Sequence, residues 1–266
     1  MRKGKDEMKR AMIDLFHKSK LANKAVVLLN SSAVMVNCSR ESWLSRHLDF
    51  FWNNAAFRVC IDGGGDVLQR VRLPLSAIPL KNPELLTGDF DSIRKETFDK
   101  YKREGVDIVH TPDQNATDFT KCLHILFEKI GALQEIHDVI AVGGLAGRFD
   151  HVMGCINTLA ICQRKSKCRL FLLDEESLVT LLDTGNHLLR MDLTSLTGVC
   201  GLLPIGAPVK CSTSGLRWNL SGETLSFGAL ISTSNEIVEE YISVQCDGPL
   251  FLSLELKADV YAQSIT

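Results

Sequence analysis

The chain has 266 residues, 45% of them apolar and 23% charged, the balance of a soluble globular protein rather than a disordered one. That length supplies one large or two ordinary domains with a buried core. A formal net charge of -2 gives no global electrostatic reason to bind nucleic acid or an anionic membrane, and no run of the sequence approaches the ~20 apolar residues of a membrane helix.

Residues 1–22 read as a basic N-terminal extension in which Met8, Met12, Leu15 and Phe16 have the spacing of an amphipathic helix. Asp6, Glu7 and Asp14 are unusual for a mitochondrial presequence, which favours a solvated or loosely docked segment. Between residues 23 and 178, short apolar runs alternate with helical patterns. Residues 25–29, 57–61, 85–90, 106–109, 139–142 and 170–173 read as buried strands. Over residues 118–130, Phe119, Cys122, Leu123, Leu126 and Ile130 share a helical face, and Gly131 stops the helix. This alternation predicts an α/β domain with a mostly parallel, Rossmann-like sheet and helices on both faces. Over residues 179–266 the helical signal fades. Runs at 178–182, 187–191, 199–203, 209–213, 224–231, 242–245 and 250–256 are β-like and separated by turn residues, predicting a C-terminal all-β sandwich. The nine cysteines, Cys38 among them, are odd in number and without CxxC spacing. They read as buried, reduced thiols of a cytoplasmic protein rather than a disulfide framework or a zinc site.

Polar, glycine-rich peptides end most strands of the first half, where open parallel sheets bind ligands. Asp62-Gly63-Gly64-Gly65-Asp66 closes one strand and opens a helix. Its glycines let backbone amides approach a phosphate, or serve only a tight turn. It is not a GxGxxG, and the chain has no P-loop. Next comes Thr87-Gly88-Asp89-Phe90-Asp91-Ser92. In an extended chain Asp89 and Asp91 share one side while Phe90 points to the core. Converging carboxylates call for a cation, and hard oxygens suit Mg²⁺ carrying a nucleotide polyphosphate. The alternative is a solvated loop with Asp91 or Ser92 capping a helix.

In the peptide running from Thr111 to Lys121, Thr117 is a natural N-cap, while Asp118 and Lys121 fall on one face at the positive end of the helix. A carboxylate for metal and an ammonium for phosphate fit a polyphosphate site. In Gly143-Gly144-Leu145-Ala146-Gly147-Arg148-Phe149-Asp150-His151, Arg148 offers a planar fork for phosphate. Asp150 reads as a base, a metal-shell ligand or an N-cap, and His151 as a helix-start histidine or a chemical one.

In this order, these peptides resemble the eukaryotic thiamine pyrophosphokinases (thiamine diphosphokinases). Gly215-Leu216-Arg217-Trp218-Asn219-Leu220 and Ser232-Thr233-Ser234-Asn235 resemble that family's thiamine-binding β domain. The resemblance implies an ATP- and Mg²⁺-binding catalytic domain over residues 23–178 and a thiamine-binding β-sandwich over 179–266. It also implies a homodimer with active sites at the subunit interface. Carried over to this chain, Asp89, Asp91 and Asp118 would hold Mg²⁺. Gly63, Gly64, Gln114, Thr117, Lys121 and Arg148 would bind ATP, and Asp62 and Asp150 would line the reacting centre. Ser232, Ser234 and Asn235 would contact thiamine. The reaction implied is attack of the thiamine hydroxyl on the β-phosphorus of ATP, giving thiamine diphosphate and AMP. A related diphosphotransferase acting on another heterocyclic alcohol, such as a pterin, is the alternative. The chain departs from the family at Gly65 and Asp66, where alanine and asparagine are commoner, which leaves Asp66 without a role. Trp218 reads either as a sandwich-core aromatic, the reading favoured by its alternation with Arg217 and Asn219, or as a wall of the thiamine pocket.

Overall fold

A computed structural model describes residues 8–13, 15–16, 18–30, 43–72, 79–131, 136–258 and 260–261. Asp6, Glu7, Asp14 and Cys38 lie outside the described residues. Chain contacts define two units, one of Met1–Phe16 with Glu176–Thr266 and one of His17–Glu175.

The first strand, β1 (Lys9–Ile13), belongs to the former and runs parallel to a later strand, Lys9 opposite His187 and Ile13 opposite Met191. A strand therefore stands where the spacing of Met8 and Met12 predicts a helix. A lone helix of so few residues is marginal in water, whereas a sheet edge offers a ready ladder of backbone partners.

Residues 17–175 build a six-stranded parallel sheet from β2 (Lys24–Leu28), β3 (Phe57–Ile61), β4 (Leu85–Gly88), β5 (Asp107–His110), β6 (Asp138–Val142) and β7 (Arg169–Leu173), in the order β7-β6-β2-β3-β4-β5. The helices are α1 (Trp43–Phe51), α2 (Gly64–Arg72), α3 (Lys95–Arg103), α4 (Asp118–Gly131) and α5 (Phe149–Gln163). Every residue of β2 and β6 is buried, which explains their unbroken rather than alternating apolar runs. The α2 helix starts hard against β2: a Cβ on Gly64 would lie 2.4 Å from the Leu28 carbonyl oxygen. At the amino ends of three adjacent strands, Lys24, Asp138 and Arg169 stand in register. Asp138 is buried and accepts from Lys24 Nζ at 2.7 Å, from Arg169 Nε at 2.7 Å and from Arg169 Nη2 at 3.0 Å.

The other unit is all β. Its strands after β1 are β8 (Ser177–Leu182), β9 (Gly185–Met191), β10 (Leu196–Pro204), β11 (Val209–Ser214), β12 (Ser221–Leu225), β13 (Ser232–Glu236), β14 (Tyr241–Cys246) and β15 (Leu250–Leu256). One sheet has the order β1-β9-β14-β11-β12, and β13, β10, β15 and β8 form a second, antiparallel ladder. The run predicted as a strand at 224–231 breaks after Leu225. The chain reverses there, Ser226 N–H donating to the Leu230 carbonyl at 2.8 Å around Gly228, whose φ is 82°. Trp218 is 58% exposed, not a core aromatic, because the chain from Arg217 to Asn219 is a turn without strand alternation. The eight described cysteines are free, and all except Cys155 are buried.

Candidate active site

The carboxyl ends of the parallel strands surround a cavity of about 580 Å³. Asp62, Asp89, Asp91, Thr117, Asp118, Arg148 and Asp150 line it, arriving from the ends of β3, β4, β5 and β6. Four sequence-distant peptides thus meet because parallel strands deliver their carboxyl ends to one edge.

Three of these acids form a cluster. Asp62, Asp89 and Asp118 each offer a carboxylate oxygen, and the three oxygens lie within 4.8 Å of one another. Backbone geometry makes the cluster. Asp62 has a left-handed backbone (φ 44°) and packs against Gly88, where a Cβ would come 2.8 Å from the Asp62 Cβ. The strand predicted to run to residue 90 stops at Gly88, and Phe90 is itself left-handed (φ 64°). The extended-chain premise for Asp89 and Asp91 therefore fails. Phe90 packs edge-on against Phe98 and stacks on His110, which turns the chain between the two aspartates. Asp91 lines the cavity outside the cluster, its Oδ1 accepting from Ser92 Oγ at 2.8 Å.

Burial pushes the Asp62 carboxyl above the ordinary carboxylate range. It accepts the Ser92 and Ile93 amides at 3.2 and 3.1 Å. Hydrogen bonding from the Ser92 side chain and the Ile93 amide only partly offsets the burial, and the charges of Asp91 and Asp118 add to it. Asp89 is held below the usual range by Gln114, whose Nε2 donates to its Oδ2 at 3.0 Å. Lys121 Nζ lies 2.8 Å from Asp118 Oδ1, yet it donates to the carbonyls of Thr111 and Asp113, and the Asp118 oxygen remains buried without a hydrogen bond. Gln114 and Lys121 thus touch the acids without lining the cavity. Arg148 and Asp150 form an exposed two-pronged pair, Nε to Oδ1 at 3.1 Å and Nη2 to Oδ2 at 2.6 Å. His151 stands on the wall beside them.

Residues 48–172 match the thiamin pyrophosphokinase catalytic domain, and residues 186–251 match the vitamin B1 binding domain of the same family. Thiamine pyrophosphokinase 1 of Arabidopsis thaliana is 35% identical over 256 residues, which cover 87% of this chain and 94% of the relative. The chain belongs to the thiamin pyrophosphokinase family. Thiamin pyrophosphokinase 1 of Caenorhabditis elegans is 34% identical over 221 residues, 82% of this chain and 86% of the relative. The fold agrees: the crystal structure of yeast thiamin pyrophosphokinase superposes with a TM-score of 0.77, covering 99% of this chain and 96% of that one at 21% identity.

Within this thiamin pyrophosphokinase fold, Asp66 takes a structural role. It is buried and receives Arg94 N at 2.8 Å, Arg94 Nε at 3.1 Å and the Thr97 hydroxyl, which ties α2 to the start of α3. Sequence reasoning missed Asp174, directly after β7. Its buried carboxylate accepts Leu145 N at 3.0 Å and so holds the middle of the glycine loop. A strand-end aspartate was the available signal.

In the β unit, Asn235 is buried and committed to backbone. It accepts from Trp218 N at 3.2 Å and Glu236 N at 2.8 Å, and donates to the Trp218 carbonyl at 2.8 Å. Ser232 Oγ lies 3.3 Å from its Nδ2, and Ser234, left-handed at φ 52°, borders a cavity of about 220 Å³.

Proposed function

We propose that the acid-lined cavity is where this chain, a thiamine diphosphokinase, transfers the diphosphoryl group of ATP to the hydroxyethyl group of thiamine, giving thiamine diphosphate and AMP. The observation that carries the reading is the trio of carboxylate oxygens within 4.8 Å at the carboxyl edge of the sheet, inside the stretch that matches the family's catalytic domain. The pterin alternative finds no support, because both domain matches and the curated relatives are of the thiamine kind.

The donor set fits Mg²⁺. All three ligand atoms are hard carboxylate oxygens, and Asp118 Oδ1, buried and 2.8 Å from Lys121 Nζ, accepts no hydrogen bond. We assign the ion to Asp89 and Asp118 with Asp62, while Asp91 faces the same cavity. Bound there, Mg²⁺ would neutralise polyphosphate charge as it grows on the leaving AMP. The chain's own groups then align the reactants. Gly63, Gly64 and Thr117 surround the nucleotide at the helix starts, and Arg148 turns its fork from Asp150 to a phosphate. Asp150 stands apart from the acid cluster and gives up its pair with Arg148 in that exchange, so we assign it the proton of the attacking hydroxyl.

Ser232 and Ser234 would contact thiamine, with Asn235 acting through the backbone of Trp218 that it grips. Their distance in sequence from the ATP peptides supports a homodimer with active sites at the subunit interface. A monomer that is fully active at nanomolar concentration in sedimentation would overturn that assembly. Free cysteines support a cytoplasmic enzyme, and no helix among the described residues is long and apolar enough to cross a membrane. Purified protein given ATP, Mg²⁺ and thiamine should release AMP and thiamine diphosphate in equal amounts. Absence of both products, or turnover of a pterin alcohol in place of thiamine, would sink the reading.

A further inference from the structure

Two helices begin on the cavity rim, α4 with Asp118 and α5 beside Asp150, and threonine hydroxyls join them. Thr117 Oγ1 lies 2.9 Å from Thr120 Oγ1 and 3.2 Å from Thr158 Oγ1, and Thr120 Oγ1 lies 2.7 Å from Thr158 Oγ1. Three hydroxyls carry three protons, so a closed triangle uses one donor per side. Thr117 Oγ1 also accepts Thr120 N–H at 3.2 Å, capping α4 one residue before Asp118. Thr158, on α5, has no solvent exposure. Its hydroxyl therefore has no water to replace the partners it meets on α4.

We propose that Thr158 is a positioning residue for the nucleotide site, its buried hydroxyl fixing the capped first turn of α4, and with it Thr117 and Asp118, against α5. The proposal rests on the reading that Thr117 and Asp118 serve Mg²⁺-bound ATP. A β-branched residue of similar shape fills the same space, so the packing role and the hydroxyl role can be separated. Thr158→Val keeps the shape and loses the hydroxyl, whereas Thr158→Ser keeps the hydroxyl and loses a methyl group.

The measurement is the affinity for ATP with Mg²⁺ by calorimetry without thiamine, paired with steady-state kinetics in each substrate. Thr158→Val should raise both the dissociation constant and the KM for ATP about fivefold or more, while leaving thiamine KM within about twofold. Thr158→Ser should stay within about twofold of the parent in every constant. Packing alone predicts the reverse order, with Ser the more damaging change. A Val variant that binds ATP like the parent, or that shifts thiamine KM by the same factor, overturns the proposal. Should Thr158→Val not fold, Thr120→Val removes two sides of the same triangle from the α4 side and must reproduce the loss of ATP affinity. Failure of the parent protein to bind ATP with Mg²⁺ would instead sink the nucleotide reading itself.

Discussion

The two ends of the parallel sheet treat buried carboxylates in opposite ways. At the amino ends, Asp138 has two cations of its own chain, one of them buried with it, and accepts three charge-assisted hydrogen bonds from them. Burial alone would push its carboxyl up, but Arg169 and Lys24 together pull it below the ordinary range. At the carboxyl ends, Asp62 is as deeply buried, is met by neutral donors of Ser92 and Ile93, faces two further carboxylates and is pushed up. A carboxylate answered inside the chain belongs to the architecture. One that is left unanswered beside others is a site for a cation from outside, and its cost to folding is carried for function.

The largest expected effect comes from the unanswered end. Asp89→Asn or Asp118→Asn should lower turnover by at least ~100-fold, as expected when charge neutralisation at the reacting phosphates is lost. Melting temperature should change little, because each substitution removes like-charge repulsion together with one favourable contact, Gln114 to Asp89 or Lys121 to Asp118. Mg²⁺ alone should raise the melting temperature of the parent protein and fail to raise that of the variants, since an ion stabilises only the state that binds it. Parental activity after exhaustive chelation would break the contrast between the two ends.

Asp138→Asn should do the converse. Breaking a buried pair by removing one partner costs about 3–5 kcal/mol, read as a lower urea midpoint, while kcat of the folded fraction is unchanged. The pH dependences have opposite signs. The Asp138 carboxyl is depressed in the folded state, so its contribution is present above the unfolded carboxylate pKa and is lost as pH falls through the depressed value. Asp62 is raised, so its protonated form favours the fold and that contribution disappears as pH rises through the raised value. Urea midpoints followed across the acid range should accordingly lose their dependence at the low end in Asp138→Asn and gain at neutral pH in Asp62→Asn.

Which residues end the strands was legible, because apolar runs followed by glycine and aspartate encode a strand and its exit. Asp62, Asp89, Asp118, Arg148 and Asp150 were all found in that way and do share one cavity. Which acids meet was not legible. It depends on left-handed backbone at Asp62 and Phe90, two non-glycine residues whose conformation is set by Gly88 and by the aromatic contacts of Phe90. The partners of Lys121 and Gln114 were hidden for the same reason, since both bend back onto the loop that precedes α4. Thr158 gave no signal, because a threonine inside a helix looks like any other until its tertiary neighbours are known. The edge strand β1 was missed because its pairing with β9 spans most of the chain length.

The smallest expected effect sharpens the comparison in apolar terms. Trp218 is an aromatic that its own unit does not use: the ring is 58% exposed, while its backbone N–H and carbonyl are both held by Asn235. Arg217 lies 5.5 Å from the ring centroid, but Arg217 also pairs with Glu236, so it remains placed when the ring changes. Trp218→Phe leaves the Asn235 clamp intact, because that clamp reads only backbone. Melting temperature should therefore stay within the error of an exposed substitution, about 0.5 kcal/mol. If the exposed ring is retained for a ligand, as the unanswered carboxylates are, thiamine is the substrate that should notice. Its cationic thiazolium and flat pyrimidine both favour a large aromatic face. Thiamine KM should rise about threefold or more while ATP KM is unchanged, which marks the loss of substrate binding without a change in chemistry. A fall of several degrees in melting temperature with normal kinetics would return Trp218 to an architectural role. Unchanged thiamine KM with unchanged stability would leave it a surface residue and confine the contrast to charges.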